Sequence, residues 1–190
     1  MVVQPSPDMS QELHHELPQL QGLAPLYNGN ARILILGSMP GQASLDQQQY
    51  YGHPRNQLWP LLQQLFGVDA SLPYPLRCQQ ALAAGVAFWD VIGSCQRAGS
   101  LDSAIVGDSI RFNPLEQLCQ QLPDLQHIWL NGGKAAQSFR QYQRQHADGL
   151  LATNTFKITT FKITTLPSTS PAHASLTFTE KLLLWRQALA

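Results

Sequence analysis

Short apolar runs alternate along the chain with segments of helical period. Arg32–Leu36 (RILIL) runs into Gly-Ser-Met-Pro-Gly at 37–41, the pattern of a buried parallel strand that ends in a loop. Apolar residues at 58, 59, 61, 62, 65 and 66 predict a helix over Asn56–Phe66, closed by Gly67. Leu76–Ala84 reads as a helix. Gly85–Ile92 (GVAFWDVI) reads as a second strand, broken by Gly93 and Ser94. Asn113 is placed to cap a helix over Pro114–Leu122, with proline at the first helical position. His127–Leu130 is a third strand, and Lys134–His146 a further helix. Thr155–Thr165 is rich in β-formers and leads into Leu-Pro-Ser-Thr-Ser-Pro. An amphipathic helix over Thr179–Ala188 follows.

Strands that alternate with helices predict an α/β fold, a parallel sheet covered on both faces. In such sheets ligands bind at the carboxyl ends of the strands. Four small-residue or polar loops stand there: GSMPG, DVIGS, NGG and LPSTSP. The chemistry is therefore expected along that one rim. Residues 1–30 are rich in Pro, Gln and Leu, and Asp8, Glu12 and Glu16 have no basic residue near them. They read as a loose tail, with a short helix at Asp8–Leu17, before a single domain over 31–190. The pair His14-His15 would point apart on a helix, so a solvated face is expected there. TFKIT at 155–159 repeats at once at 160–164. An odd shift puts Phe156 and Phe161 on opposite faces of one straight strand. Only the second copy feeds directly into the LPSTSP loop.

Composition narrows the function classes. The 190 residues carry 12 Lys+Arg and 12 Asp+Glu, and only 13% are charged; 23 glutamines fill part of the gap. A neutral chain of this kind cannot grip nucleic acid by bulk charge. Contact with a few phosphates through backbone amides and local basic residues stays open. Residues 131–165 hold Lys134, Arg140, Arg144, Lys157 and Lys162 against Asp148, a candidate DNA-facing surface or a solvated helix face. Cys78, Cys95 and Cys119 form no CxxC pair and suit buried thiols in a reducing compartment. No run approaches the ~20 residues that span a bilayer, and no basic-then-apolar leader opens the chain. A soluble, cytoplasmic protein without membrane contact is expected.

The loops bring particular chemistry. GSMPG lacks the GxxxxGK[ST] pattern, which argues against nucleotide hydrolysis. Tyr50-Tyr51-Gly52-His53-Pro54-Arg55-Asn56 gathers two aromatics, a histidine, an arginine and an amide just before a helix. It reads either as a turn capped by Asn56, or as aromatics stacking on a ring, Arg55 meeting a phosphate and Asn56 holding a water. Leu166–His173 is stiffened by Pro167 and Pro171, and its Ser168, Thr169 and Ser170 could press on a phosphate chain.

Taken together, the segments ILGSMPGQASL (35–45), QYYGHPRNQLW (49–59), FWDVIGSCQRAGSLDSAI (88–105), WLNGGKAAQSF (129–139) and LPSTSPAHASLTFTEKLLLWR (166–186) resemble the uracil-DNA glycosylase superfamily, most closely its hypoxanthine-DNA (deoxyinosine) glycosylase branch. The resemblance implies a three-layer α/β/α sandwich around a central, mainly parallel four-stranded sheet. It implies no metal and no redox cofactor, and a monomer acting on double-stranded DNA with deaminated or mispaired bases. The reaction would be hydrolysis of an N-glycosidic bond after the nucleotide leaves the stack. Many members place an acid or amide in the first loop to position water. Met39 stands there instead, and the asparagine of the resembled branch maps onto Asn56, the catalytic candidate. Asp90 matches the position that reads the base; alternatively it caps the turn toward Ser94. A carboxylate there would accept hypoxanthine N1–H or uracil N3–H and repel adenine N1. Gly37, Ser38, Met39 and Asn131 would line the base site, with amides near Gly37–Gly41 and Asn131–Gly132 on the base carbonyls. Tyr50, Tyr51 or Phe112 would stack on the ring. His53, Arg55, Ser168, Thr169, Ser170 and His173 would touch DNA.

Two other readings stand beside this one. A mismatch-specific uracil glycosylase would use the same parts. A catalytically silent binder of abasic or damaged DNA would be consistent with Met39. A serine hydrolase built on Ser38, Ser168 and His173 lacks a GxSxG elbow.

Overall fold

A computed structural model describes residues 17–146, 149, 155–156 and 159–189. The proposed helix over Asp8–Leu17 and the His14-His15 pair therefore lie outside the described residues, apart from Leu17, as does Lys157. In chain order the elements are β1 (Gln19–Gln21), β2 (Ile33–Gly37), α1 (Gln42–Gln47), α2 (Leu58–Phe66), α3 (Tyr74–Ala83), β3 (Val86–Asp90), β4 (Ile92–Gln96), β5 (Arg111–Phe112), α4 (Leu115–Gln120), β6 (His127–Asn131), α5 (Gly133–Gln145), β7 (Thr155–Phe156), β8 (Thr159–Thr160), β9 (Lys162–Leu166) and α6 (Phe178–Gln187).

The central sheet is parallel, in the order β3-β2-β6-β9. β2 and β3 are buried at every position, which is why they read as unbroken apolar runs. Trp129 of β6 packs edge-on against Trp185 of α6 and tilts onto Phe66 of α2. Its neighbours Ile128 and Leu130 face the opposite side. On another part of the core, Phe112 meets Tyr142 of α5, which stacks on Phe139. Helices thus cover the sheet in a mixed α/β sandwich, as the alternation of strands and helices predicts.

Register decides where the site falls. Gly37 pairs with Asp90 across β2 and β3, and Asn131 pairs with Leu166 across β6 and β9. The four strands end level, so four loops open along one edge. Gly132, at φ 103°, turns the chain out of β6; a Cβ there would lie 2.8 Å from the Ser168 Cβ. Only glycine allows the NGG and LPS loops to approach this closely.

Four expectations need correction. The run through Ile92 is two strands: β4 leaves the parallel sheet and joins a small antiparallel sheet, β1-β4-β5, with Gly93 and Ser94 inside it. Its partner β1 belongs to the supposed loose tail. Gln19 pairs with Gln96, Gly22 N–H donates to Gly93 O at 2.7 Å, and Leu23 is buried. Leu26 also bridges to Phe88, so residues 17–30 pack on the body because they supply an edge and an apolar cover. Asn113 does not cap α4. It donates from Nδ2 to Asp90 O at 2.8 Å and ties β3 to β5. The Thr155–Thr165 stretch is likewise divided. β9 is drawn from the second TFKIT copy, and β7 and β8 form a separate two-stranded ladder.

Candidate active site

A cleft of about 580 Å³ opens at the strand ends. Gly37, Ser38 and Met39 border it from the loop after β2, and Tyr50, Tyr51, His53, Arg55 and Asn56 from the segment before α2. Asp90 closes it from β3, Asn131 from β6, and Ser168, Thr169, Ser170 and His173 from the last loop. Phe112, the third stacking candidate, is away from it against Tyr142.

The floor is made by Gly37, Asp90 and Tyr51. A Cβ on Gly37 would lie 2.3 Å from Asp90 Oδ1 and 3.6 Å from the Tyr51 hydroxyl, so these three groups converge. Asp90 is 4% exposed, yet its Oδ2 has no hydrogen-bond partner among the described residues. The Tyr51 hydroxyl is buried and has no such partner among them either. Burial raises the Asp90 pKa to about 7; repulsion from Asp102 adds to this, and Arg97 opposes it. Burial, then the Asp90 charge, likewise raises the Tyr51 phenol. Tyr51 adopts φ 55°, the left-handed region that non-glycine residues avoid. Such strain concentrates at functional sites.

The rim has the opposite character: its polar groups are satisfied. Asn131 and Thr169 exchange two bonds, Nδ2 to Oγ1 at 2.9 Å and Thr169 N–H to Oδ1 at 3.0 Å. Thr169 is fully buried, and its side chain joins the last loop to β6. The Gly132 amide is bound to Leu166 O at 2.9 Å and is not free for a base carbonyl. Tyr50 turns its hydroxyl to Ala24 O at 2.9 Å and stacks on Phe88, so it shapes the wall from within the core. Met39 packs into a small apolar cluster with Ile92, Cys95 and Ile105. Of the three stacking candidates, Tyr51 is thus the one that borders the cleft with an uncommitted polar tip.

Asn56 is half-buried at the cleft edge, and its Oδ1 accepts the Leu58 N–H at 3.0 Å. The turn bond and the cleft position coexist. The bond fixes which end of the amide is oxygen and holds it while a second lone pair stays available to a water. His53 Nδ1 accepts the Arg55 N–H at 3.1 Å. His173 Nε2 lies 3.2 Å from Ser175 Oγ.

Two contributors were not foreseen. Asp102 borders the cleft and accepts from Ser38 Oγ at 2.7 Å. Burial raises its pKa, against the pull of Ser38, Arg97 and Lys134. The acid in the GSLDS turn was visible, but no local signal reports a partner 64 residues earlier. Lys181 of α6 is the second. Its buried ammonium donates to Gln57 Oε1 at 2.8 Å and to His173 O at 2.9 Å, and burial lowers its pKa. It joins the segment carrying Asn56 to the loop carrying Ser168–His173.

The family model described as the uracil DNA glycosylase superfamily matches residues 24–189. The chain belongs to that superfamily. It is a DNA glycosylase, a hydrolase of N-glycosyl bonds. The glycosylase is 36% identical over 118 residues to a protein of Methanosarcina barkeri named hypoxanthine DNA glycosylase, covering 62% of this chain and 73% of that one. It is 34% identical over the same span to one of that name from Methanosarcina acetivorans, with the same coverage. The solution NMR structure of a candidate uracil DNA glycosylase from Methanosarcina acetivorans superposes with a TM-score of 0.69. That match has 27% identity and covers 91% of this chain and all of the other.

Proposed function

We propose that this glycosylase removes hypoxanthine, and uracil less readily, from double-stranded DNA once the deaminated nucleotide has swung out of the helix. It would act as a monomer in the cytoplasm, opening base excision repair at deaminated or mispaired sites. One observation carries the base preference: the buried, unpartnered Asp90 Oδ2 on the cleft floor. An orphaned buried acceptor costs about 1–3 kcal/mol, which a ligand donor would relieve. Hypoxanthine N1–H and uracil N3–H are such donors, and each lies beside a carbonyl. Adenine N1 is an acceptor and would leave the ionised carboxylate unpaired.

Cleavage breaks the C1′–N bond, and its electron pair leaves with the base. A water adds its oxygen to the cationic C1′ and gives up a proton to the departing base or to solvent. Asn56 is too weak a base to take that proton, but the sugar is already electron-poor. Positioning the water is then the greater part of the task. Arg55, His53, Ser168, Ser170 and His173 would hold the backbone around the extruded nucleotide. No lysine stands at a matched nucleophile position, so base release without strand cleavage is expected.

The deciding experiment incubates the protein with duplexes carrying inosine, uracil or xanthine and cuts abasic sites with alkali. Release of hypoxanthine ahead of uracil supports the proposal, and release of uracil alone makes it a mismatch-type uracil enzyme. The buried Met39 on the first loop, which cannot position a water, favours one other reading, a silent binder of abasic DNA. Tight abasic binding without base release from any duplex would establish that reading.

A further inference from the structure

Helix α6 backs the last loop along its whole length. Lys181 and Trp185 lie one turn apart on the same face of the helix. Trp185 Nε1 donates to Pro167 O at 3.1 Å, and Lys181 Nζ donates to His173 O at 2.9 Å. The two side chains thus hold the two ends of the 167–173 loop. A capping box between Thr177 and Glu180 fixes the start of the helix. The lysine also reaches beyond the loop, to Gln57 Oε1 at 2.8 Å. Gln57 follows Asn56 directly and caps α2, and its own N–H donates to Thr169 O at 3.0 Å.

A lysine is a costly choice for this place. Lys181 is 2% exposed, and both of these acceptors are uncharged oxygens. A buried ammonium loses hydration that neutral acceptors return only in part. Packing alone would be served by methionine, which is unbranched, adaptable and uncharged. The loop does not need the lysine merely to stay closed. Trp185, the Gln57 N–H and the Asn131–Thr169 pair also hold it. What the ammonium adds is a link from the far end of the loop to the side chain beside Asn56.

We propose that Lys181 is a positioning residue, which sets the place of Asn56 against the extruded sugar by tying Gln57 to the last loop. This rests on the reading of Asn56 above as the holder of the attacking water. Asn56 is bound within its own turn, from Leu58 N–H to its Oδ1 at 3.0 Å and from its N–H to His53 O at 2.8 Å. Those bonds orient the amide but do not set the distance from the turn to the loop that faces the DNA backbone. Lys181 grips both sides of that gap. A misplacement of about 1 Å can cost ~10²-fold in rate even when it originates away from the chemistry.

The test is single-turnover hypoxanthine release from a duplex carrying inosine opposite cytosine, run over a range of protein concentrations. The maximal rate and the half-saturating concentration are then read separately. Lys181→Met and Gln57→Ala are each made alone and together with Asn56→Ala. Lys181→Met is expected to lower the maximal rate about tenfold and to move half-saturation by less than about twofold, because the other ties keep the loop on the DNA. Gln57→Ala keeps the backbone bond to Thr169 and is expected to lose about threefold, which decides the matter if Lys181→Met does not fold. Added to Asn56→Ala, each change should cost less than about twofold, since residues that act as one unit are not additive. No loss from either single variant, losses that multiply with that of Asn56→Ala, or a half-saturation shift as large as the rate loss would overturn the positioning role while leaving Asn56 in place. Asn56→Ala at the wild-type rate would instead remove the water-holding reading, and a loss from Lys181→Met would then show the lysine acting on some other group.

Discussion

The floor and the rim of the cleft are built by opposite rules. At the rim, Asn131, Thr169, Gly132 and Tyr50 have their polar groups bound to other parts of the chain. On the floor, Asp90 Oδ2 and the Tyr51 hydroxyl are buried without hydrogen-bond partners among the described residues. Folded proteins rarely leave such atoms unpaired, because each costs free energy. The contrast assigns different duties: the rim spends its hydrogen bonds on holding loops in place, while the floor withholds its own for a ligand. Asn56 stands between the two, with its oxygen fixed by a turn bond but its position at the opening.

The largest effect should come from that intermediate residue. Asn56→Ala is expected to lose at least ~10²-fold in single-turnover hypoxanthine release. Its thermal stability should drop only by the worth of one side-chain turn bond, about 1 kcal/mol. Near-full activity in this variant would reduce Asn56 to a turn residue and leave the rim purely structural. Next is Gly37→Ala, which attacks the floor without removing a polar atom. The added methyl would lie 2.3 Å from Asp90 Oδ1, so the carboxylate must turn away or the strand must shift. A loss of about tenfold in rate with about 1–3 kcal/mol of stability is expected, the range for overpacking. Unchanged kinetics would show that the orientation of Asp90 is irrelevant.

Asp90 itself gives the comparison a pH axis. Its pKa is raised from 3.8 unfolded to about 7 folded. The folded state therefore holds the proton more tightly, and stability must fall as pH rises from about 4 to about 7, then level off. The loss has an upper bound of about 4 kcal/mol. Asp90→Asn should flatten this slope in denaturation curves taken across that window. Ionised Asp90 accepts from hypoxanthine and rejects adenine, whereas the protonated acid can pair with either. Preference for hypoxanthine over adenine in binding should thus weaken between pH 8 and pH 6 for wild type. A preference independent of pH, with a stability curve that Asp90→Asn does not change, would mean that the floor carboxyl is not the reader.

Legibility in the sequence follows the same division. The parallel sheet was readable because strands buried on both faces are continuous apolar runs, as RILIL and VAFWD show. The strand ends then pointed to one rim with Asp90 and Asn131 on it, whereas Asn56, in the segment before α2, came from the family resemblance. The β1-β4-β5 sheet was not readable, because Gln19–Gln21 has no apolar alternation and its partner lies more than 70 residues away. Side-chain commitments were also hidden. Sequence alone cannot tell that Tyr50 turns its hydroxyl to the chain at Ala24 while Tyr51 leaves its own free. Asp102 and Lys181 escaped for one reason: their partners, Ser38, Gln57 and the His173 carbonyl, are set by tertiary contact rather than by spacing.

The smallest effect should come from the rim pair. Thr169→Val keeps the shape of the side chain but removes the hydroxyl that accepts from Asn131 Nδ2, while the backbone bond to Oδ1 remains. One buried donor is then left unpaired, which costs about 1–3 kcal/mol. The last loop is also tied by Gln57 N–H to Thr169 O at 3.0 Å and by Lys181 to His173 O, so it should stay in place. Hypoxanthine release is therefore expected to fall by no more than about threefold, since less than ~1 kcal/mol of the loss should reach the transition state. If Thr169 touched phosphate instead, the variant would keep its stability and weaken DNA binding with a shallower salt dependence. Melting curves paired with a salt titration of binding separate the two outcomes. A stable protein with weakened binding would move Thr169 from the structural rim to the DNA-contacting surface.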